Sequence, residues 1–339
     1  MTSEPQPATC HPALRRLRAA FLALAATALF WSPLHAADVL VNSGADSLGN
    51  DGACTLREAL ENNDANAQIW SDCAGDFGPD SIRIQAGLGP IILGARLELT
   101  RPAEILGPPG GQVIQPAPGN REQLLWITPV VDGHFLVENL TFEGARHSQP
   151  GFSAGCANKG GAVCVHSLFA DVDIVLRKIT FRDNRVTNLV PANITGGGAL
   201  FVNVGGDSTV RVEESLFQNN RLQDDDHDAS EGFGGAVLTL SPLTLSRSLL
   251  VNNLMDPLLL GQGAVIYAFG GDLTVSQSTF SANGGAISGA AITARLSNLL
   301  ILDSLFDGHS TGAEVVDFRT GSGATRYLTI SNTQFADNQ

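Results

Sequence analysis

The sequence predicts an all-β fold, a right-handed parallel β-helix in which a single-stranded solenoid winds through three sheets behind a short N-terminal capping helix. Three observations carry this prediction: a repeat that recurs seven times, alternation with period two inside each copy, and a glycine-rich approach to a third strand. Each repeat of a solenoid buries its apolar face only against its neighbours, so a regular repeat is its expected signature.

The repeat is anchored on a large apolar residue. The anchors are Phe142, Phe181, Phe217, Leu250, Phe280, Phe306 and Phe335, and successive anchors lie 39, 36, 33, 30, 26 and 29 residues apart. Apolar or small residues stand seven, five and two positions before each anchor, as Leu273, Val275 and Ser278 do in the fifth copy. Because these offsets are fixed while the spacing varies, we expect the offset positions to line a core and the extra residues to form loops between rungs.

Within each copy, two stretches of period two meet at a slip of one residue. Period two indicates strands, because successive side chains point to opposite faces. The slip predicts a corner, where a polar pair such as Glu213 and Glu214 faces water. A second corner is expected three residues past the anchor, because asparagine tolerates left-handed backbone and bonds its own turn. The asparagines at this position are Asn184, Asn220, Asn253, Asn283 and Asn338.

A glycine-rich approach precedes a third strand. It reads Gly160-Gly-Ala-Val163, Gly197-Gly-Ala-Leu200 and Gly234-Gly-Ala-Val237 in three successive copies, and small residues there allow a tight turn. We interpret Val163, Leu200 and Val237 as outward positions of these strands. Because they are apolar, this face is predicted to carry no row of catalytic side chains.

Residues 1–36 read as a signal peptide. Arg15, Arg16 and Arg18 precede an apolar run of 12 residues from Ala19 to Phe30, and small residues favour a cut after Ala36. A buried helix or an uncleaved anchor are the alternatives, but a bilayer span needs about 20 apolar residues. We therefore expect an extracellular or cell-surface protein, including an outer-membrane location, with no integral membrane span in the mature chain.

The charge balance excludes one class of partner. The formal net charge is −14, and loss of the three N-terminal arginines together with Glu4 makes it −16. An acidic body repels nucleic acid and anionic membrane surfaces, so we expect neither as a partner.

The cysteines are consistent with export. Cys10 lies in the predicted signal peptide, and the mature chain keeps two local pairs, for which we predict disulfides Cys54–Cys73 and Cys156–Cys164. Three pairings are formally available, and four free thiols remain an alternative. A zinc site is disfavoured, because no histidine stands at ligand spacing beside either pair.

Residues 37–107 are expected to form the N-terminal cap and the first rungs, and residues 108–339 the repeats. Thr55 and Glu58 form a capping box, which predicts a helix from Leu56 to about Asn63. Such an element covers the bare core at a solenoid end. Arg57 and Glu58 have a catalytic interpretation and a structural one, as an ion pair or cap, and we favour the structural one.

Two resemblances follow from these motifs. The alternation of Phe-x-x-Asn with Gly-Gly-Ala-Ile resembles the repeats of polymorphic outer-membrane proteins, and it covers about residues 135–339. The matching strings are Phe181-Arg-Asp-Asn184, Phe217-Gln-Asn-Asn220, Phe280-Ser-Ala-Asn283 and Phe335-Ala-Asp-Asn338, whereas Phe306-Asp-Gly-His309 and Phe142-Glu-Gly-Ala145 depart at the asparagine. The resemblance implies β-helical bacterial surface passengers and adhesins.

The second resemblance is at the cap. Asp51-Gly-Ala-Cys54-Thr-Leu-Arg-Glu-Ala-Leu60 is similar to the Cys-Ser-Leu-Arg-Glu-Ala motif of exported bacterial β-helix proteins, with Thr55 in place of serine. Together the motifs resemble the pectin-lyase-like superfamily, in which many members cleave polysaccharides. That likeness implies clustered acidic residues on adjacent rungs, which the patterned positions of this chain do not offer.

One acidic run is a metal candidate. Asp224, Asp225, Asp226 and Asp228 lie within five residues and present the oxygen ligands that calcium takes. The run lacks the Asp-x-Asp-x-Asp-Gly spacing, so a solvated loop is the favoured interpretation. No other cofactor and no catalytic residue is predicted.

The sequence thus favours an exported or cell-surface scaffold, non-catalytic and adhesin-like, whose partner is an unidentified surface glycan or protein. A polysaccharide-active lyase or hydrolase is the alternative. We also expect either that the repeats continue beyond Gln339 or that the last rung is exposed.

Overall fold

A computed structural model of the chain shows a right-handed parallel β-helix, and the predicted fold class is confirmed. The structure describes residues 38–73, 80–148, 155–156, 159–187, 195–223, 232–256, 262–285, 290–310, 314–321 and 325–339. Residues 37–339 form one compact unit. The predicted signal peptide lies outside the described residues, and none of the helices described is long and apolar enough to cross a membrane.

Three long sheets form the walls, and all their strand pairs are parallel. Sheet A contains Asp38–Val41, Asp80–Ile84, Ala103–Leu106, Gly133–Glu138, Val172–Arg177, Thr209–Glu213, Leu243–Ser246, Leu273–Ser276, Leu299–Leu302 and Leu328–Ser331. Sheet B contains Ile91–Leu93, Gln112–Pro116, Leu140–Glu143, Thr180–Arg182, Leu216–Gln218, Leu249–Val251, Thr279–Ser281, Leu305–Asp307 and Gln334–Ala336. Sheet C contains Leu97–Leu99, Leu125–Ile127, Val163–Ser167, Leu200–Val204, Val237–Thr239, Ile266–Phe269, Ile292–Arg295 and Val316–Arg319.

Two short sheets, which the sequence did not predict, lie between sheets B and C along the chain. Sheet D contains Arg146–His147, Arg185–Val186, Arg221–Leu222, Leu254–Met255 and Gly284–Gly285. Sheet E contains Thr195–Gly196 and Gly232–Phe233. A rung therefore passes from sheet A through B and D to C before it returns to A.

The predicted anchors stack in register along sheet B. Each anchor is the direct partner of the next, from Phe142 to Phe335. The rings of Phe181 and Phe217 stack with their centroids 4.6 Å apart, and those of Phe280 and Phe306 at the same distance. The fixed offsets of the repeat thus line the core, as predicted.

The slip before each anchor is a corner, also as predicted. The residue three positions before the anchor has a positive φ in all seven copies. These residues are Asn139, Lys178, Glu214, Arg247, Gln277, Asp303 and Asn332, with φ between 48 and 56°. This left-handed residue turns the chain from sheet A into sheet B.

The prediction for the second corner was wrong about which residue turns. The left-handed residue is two positions past the anchor, as at Asp183, Asn219 and Asn252, and the asparagine after it is not left-handed. Nor does that asparagine bond its own turn. Asn220 is fully buried, and its Nδ2 donates to Asn253 Oδ1 at 2.9 Å and to the carbonyl oxygen of Phe181 at 3.0 Å, both in neighbouring rungs.

The prediction for sheet C was also wrong about direction. Val163, Leu200 and Val237 lie in the main core, not on the outer face. The residues that follow them, Cys164, Phe201 and Leu238, form a second apolar cluster outside the sheet, together with Tyr267, Phe233 and Cys156. Both faces of this sheet are therefore buried, as is usual for parallel strands.

The cap forms as predicted. The cap helix spans Leu56–Ala65, and both hydrogen bonds of the capping box between Thr55 and Glu58 are present. The helix ends at Asn66, whose left-handed backbone caps it. Its buried face packs over the first strands of sheets A and C, and the Cys54–Cys73 disulfide, with a Cα–Cα distance of 4.8 Å, lies in the main core beneath it.

The second predicted disulfide is also present. Cys156 and Cys164 are bonded across a Cα–Cα distance of 5.9 Å and join the loop before sheet C to the outer face of that sheet. At the other end of the solenoid, the inward positions of the last described rung are partly exposed, with Leu328 at 43%, Ile330 at 40% and Phe335 at 43%.

Candidate functional site: a groove beside the cap helix

A groove of about 430 Å³ runs between the cap helix and the first strand of sheet C. Residues at 57, 60, 61 and 64 share one face of a helix, because they are spaced three or four apart. The groove is lined by Arg57, Leu60, Glu61, Asp64, Ile69, Arg96, Leu97 and Glu98. We call this set the cap groove.

The floor of the cap groove is apolar and one edge of it is exposed. Leu60 and Leu97 are both 2% exposed and belong to the main core. Ile69, at 51% exposed, stands at the rim. The other five of the eight lining residues are charged, so the apolar floor is surrounded by charged groups.

Arg57 is held in place at one side. Its Nε donates to Asp46 Oδ1 at 2.7 Å, and its Nη atoms donate to the carbonyl oxygens of Ala95 and Arg96 at 2.6 and 3.0 Å. Glu58 points the other way and is 1% exposed, with the amides of Gly49 and Thr55 as donors. The two residues therefore secure the cap, in agreement with the structural interpretation of this pair.

Arg96 and Trp126 border the groove on sheet C. The guanidinium carbon of Arg96 lies 3.6 Å from the centroid of the Trp126 ring. Its Nε donates to Glu98 at 3.0 Å and its Nη1 donates to Glu122 at 3.3 Å. Glu98 and Trp126 are direct partners in neighbouring strands, so the register of sheet C places the indole beside the groove.

Two carboxylates of the cap helix face the groove. Glu61 Oε2 accepts a hydrogen bond from Trp70 Nε1 at 2.8 Å. Asp64 Oδ1 accepts from the backbone amides of Thr100 and Arg101 at 2.9 and 3.2 Å. Burial raises the pKa of Asp64 above its ordinary value, and those two amides act in the opposite direction.

The cap groove is rich in acceptors. Three carboxylates line it against two guanidinium groups, and each guanidinium already pairs with a further carboxylate, Asp46 for Arg57 and Glu122 for Arg96. A carboxylate accepts hydrogen bonds but donates none when it is ionised. The groove therefore suits a ligand with several hydroxyl donors and no negative charge.

The predicted calcium candidates Asp224, Asp225, Asp226 and Asp228 lie outside the described residues. Within the described part of the chain, no group of three histidine, cysteine, aspartate or glutamate side chains is placed to hold a metal ion.

The sequence did not predict the cap groove. The groove is formed by the cap helix and by residues 96–98, and no local sequence pattern connects these two segments. Trp126 lies beside them only because of the register of sheet C. One signal was available: the capping box fixes the buried face of the helix, so Arg57, Glu61 and Asp64 must share the face next to it.

Comparison with family models, curated proteins and solved structures finds no match to this chain.

Proposed function

We propose that this chain is an exported or cell-surface binding protein, and that it holds a neutral glycan in the cap groove. The observation that carries the proposal is the composition of the groove, an apolar floor bordered by carboxylates and by the Arg96–Trp126 stack. Sugar rings present both an apolar face and hydroxyl donors, and this groove complements both.

Export is supported by two features. The N-terminal 36 residues have the basic flank, apolar run and small residues of a secretory signal. Two disulfides in a chain of this size are favoured in an oxidising compartment. The acceptor-rich groove belongs to the part of the chain that a cut after Ala36 would leave.

Calorimetric titration of residues 37–339 with a panel of neutral oligosaccharides tests the proposal. We expect at least one member to bind, and Ile69→Ala together with Glu98→Ala to weaken that binding about tenfold or more, because the rim and one acceptor are lost. Leu48→Ala is the matched control, since Leu48 is 47% exposed in the cap but does not line the groove.

Two results of this titration would contradict the proposal, and a third would come from an amine-bearing ligand. One is that no neutral oligosaccharide binds at millimolar concentration. The other is that the groove variant and the Leu48 control retain the same affinity for a ligand that does bind. A ligand that carries an amine and binds more tightly than its neutral counterpart would also reject it, because the groove would then select a cation.

A second candidate function is glycoside hydrolysis, and Asp64 favours it. Two carboxylates with different environments are the usual pair in such enzymes, one kept protonated as an acid and one ionised. The raised pKa of Asp64 in a groove that also contains Glu61 and Glu98 fits this pattern. An assay for new reducing ends decides between the two functions: turnover that Asp64→Asn abolishes supports the enzyme, and binding without turnover supports the binding protein.

A further inference from the structure

Four apolar side chains are exposed together where the chain passes from sheet C to sheet A. Val130 and Val131 lie in the turn that follows the second strand of sheet C, and they are 65% and 36% exposed. Leu168 and Phe169 lie in the turn that follows the third strand, and they are 50% and 100% exposed. We call these four residues the apolar ridge.

The two turns of the ridge are adjacent in space. Ser167 Oγ, at the start of the later turn, donates to the carbonyl oxygen of Pro129 at 3.4 Å, and the amide of Asp171, at its end, donates to Asp132 Oδ1 at 2.9 Å. Neighbouring strands lie about 4.8 Å apart, so the four side chains form one patch. Apolar residues that are exposed singly need no explanation, but a contiguous patch is typical of an interaction site.

The turn of the following rung leaves space beside Phe169. This turn has Gly205 and Gly206 at the register positions of Leu168 and Phe169. Gly206 has φ of 62°, and a Cβ there would overlap the carboxylate of Asp171. The turn is therefore a bare shelf of backbone, and the side chain of a partner can lie on it against the ring of Phe169.

A row of aspartates borders the ridge. Asp132, Asp171 and Asp207 lie near the ends of three successive turns, and all three are exposed. Asp132 Oδ1 accepts from the amide of Asp171, and Asp171 Oδ1 accepts from the amide of Asp207 at 3.2 Å. Among the residues that the structure describes, no cation forms an ion pair with any of the three carboxylates.

The basic groups around the row have other partners. The imidazole Nδ1 of His134 and an Nη atom of Arg211 each lie 2.9 Å from Asp173 Oδ2. Arg101, in the turn before the ridge, donates from its Nε to the carbonyl oxygen of Asp64 in the cap helix at 3.0 Å. The row is therefore an acidic border of the ridge that none of these groups pairs with.

We propose that the apolar ridge is a docking site for a partner polypeptide in which a lysine or arginine stands between apolar side chains. The apolar side chains would pack on Val130, Val131 and Leu168. The cation would lie on the shelf over the ring of Phe169, with the carboxylate of Asp171 beside it. None of these residues lines the cap groove, so the proposal does not depend on glycan binding.

Two other occupants suit the ridge less well. A second copy of this chain is a poor source of cations, because the chain has 34 acidic residues against 20 lysines and arginines. Copies with the same large net charge also repel each other. An anionic membrane surface is repelled by the row of carboxylates. Charge complementarity therefore favours a basic polypeptide.

Fluorescence anisotropy measures the affinity of the protein for a labelled peptide in which leucine and lysine alternate. Two reference peptides have serine in place of leucine and glutamate in place of lysine. The ridge variant is Leu168→Ser with Phe169→Ser. Its control is Ile92→Ser with Leu249→Ser, which replaces two apolar residues of sheet B that are each 40% exposed.

A second pair of variants tests the charges. The charge variant is Asp132→Asn with Asp171→Asn, in which asparagine keeps the Oδ1 acceptor for the amide of the next turn. Its control is Asp183→Asn with Asp303→Asn. These two aspartates are also exposed, each accepts one hydrogen bond through Oδ1, and their replacement changes the net charge by the same amount.

We expect the leucine–lysine peptide to bind more tightly than either reference peptide. The ridge variant is expected to bind it at least about tenfold more weakly than its control, because a few apolar anchors carry most of the energy of an interface. The charge variant is expected to bind it about threefold to tenfold more weakly than its control, with a shallower dependence on salt. All four variants are expected to melt at the temperature of the wild type, because the replaced side chains lie on the surface.

Four outcomes would overturn the proposal. The first is that the leucine–lysine peptide binds no more tightly than a reference peptide. The second is that the ridge variant and its control bind that peptide equally. The third is that the wild type sediments as a dimer and the ridge variant as a monomer, which would assign the ridge to a second copy of the chain. The fourth is that the wild type binds phosphatidylcholine vesicles and the ridge variant does not, which would assign the ridge to a membrane.

Discussion

The imidazole Nδ1 of His309 lies 3.3 Å from the carbonyl oxygen of Asn283, at a position where most rungs place an asparagine. In the rung before, Asn253 Nδ2 donates to Asn283 Oδ1 at 3.0 Å, so the row of stacked amides stops where His309 begins. His309 is 1% exposed, and its Nε2 has no hydrogen-bond partner among the described residues.

His309→Asn is therefore expected to stabilise the protein. An asparagine there would offer its Oδ1 to the side-chain amide of Asn283 and would remove a buried unpaired nitrogen. Each of these effects contributes about 1 kcal/mol to the free energy of unfolding. Urea denaturation measures the change. Asn253→His is the reverse substitution within the same row of stacked amides. An Asn253→His variant with the same free energy of unfolding as the His309→Asn variant would contradict the expectation.

Ala282→Gly is expected to stabilise the protein by about 1 kcal/mol, whereas replacing alanine by glycine usually lowers the free energy of unfolding. Ala282 is exposed and has φ of 51°, a conformation that costs an L-residue roughly 1 kcal/mol or more and glycine little. The control is Ala86→Gly at an exposed alanine without a positive φ, which is expected to lose about 0.5 kcal/mol. Equal losses in the two variants would show that position 282 is not strained.

Stability is expected to fall as the pH is lowered from about 6.5 to about 4, in part because of His147. Burial lowers the pKa of this imidazole from 6.5 to about 4 in the folded protein, and the charge of Arg96 acts in the same direction. The unfolded chain then binds more protons than the folded one in that interval, which costs up to about 3 kcal/mol.

Denaturation curves of the wild type and of His147→Gln over this pH range measure the effect. The dependence of the unfolding free energy on pH is expected to be shallower in the variant, whereas the difference between the two proteins stays constant near pH 8, where neither state titrates. Identical slopes below pH 6 would mean that His147 is not buried in its neutral form.

Gly198→Ala is expected to destabilise the protein by about 3 kcal/mol. A Cβ at this position would overlap the carbonyl oxygen of Gly235 in the next rung and would lie 2.6 Å from the carbonyl oxygen of Arg221. Backbone atoms on both sides leave no room for it to shift. Gly49→Ala is the control, since nothing lies within 4 Å of a Cβ there, and its effect is expected to stay within about 0.5 kcal/mol. A benign Gly198→Ala would show that the rungs are packed less closely.

The repeat made most of the fold predictable from sequence. The anchors, the corners before them and the cap helix each depend on a local pattern. An anchor such as Phe280 marks the inward positions before it, and the capping box of Thr55 and Glu58 marks the start of the helix. The inward direction of Val163 was not predictable in this way. Both it and Cys164 are fully buried, so hydrophobic periodicity cannot distinguish the core from the second cluster outside sheet C.

The roles that were missed depend on contacts between rungs. Asn220 is of a residue type that is common in turns. Only the spacing between rungs reveals that its side-chain amide donates a hydrogen bond to Asn253. The row of arginines on sheet D did leave a signal, because an arginine stands four residues past the anchor in three successive copies, at 146, 185 and 221. The outward positions, aligned across the copies like the inward ones, contain this row.

Intrinsic tryptophan fluorescence tests the central claim, that the cap groove binds a neutral glycan, most directly. In a chain that begins at Ala37, the only tryptophans are Trp70 and Trp126. Trp70 donates to Glu61 in the groove, and Trp126 stacks on Arg96 at its border. Titration with a neutral oligosaccharide is predicted to give a saturable change in emission, which Ile69→Ala together with Glu98→Ala weakens. An oligosaccharide that binds by calorimetry without any change in emission would contradict the claim.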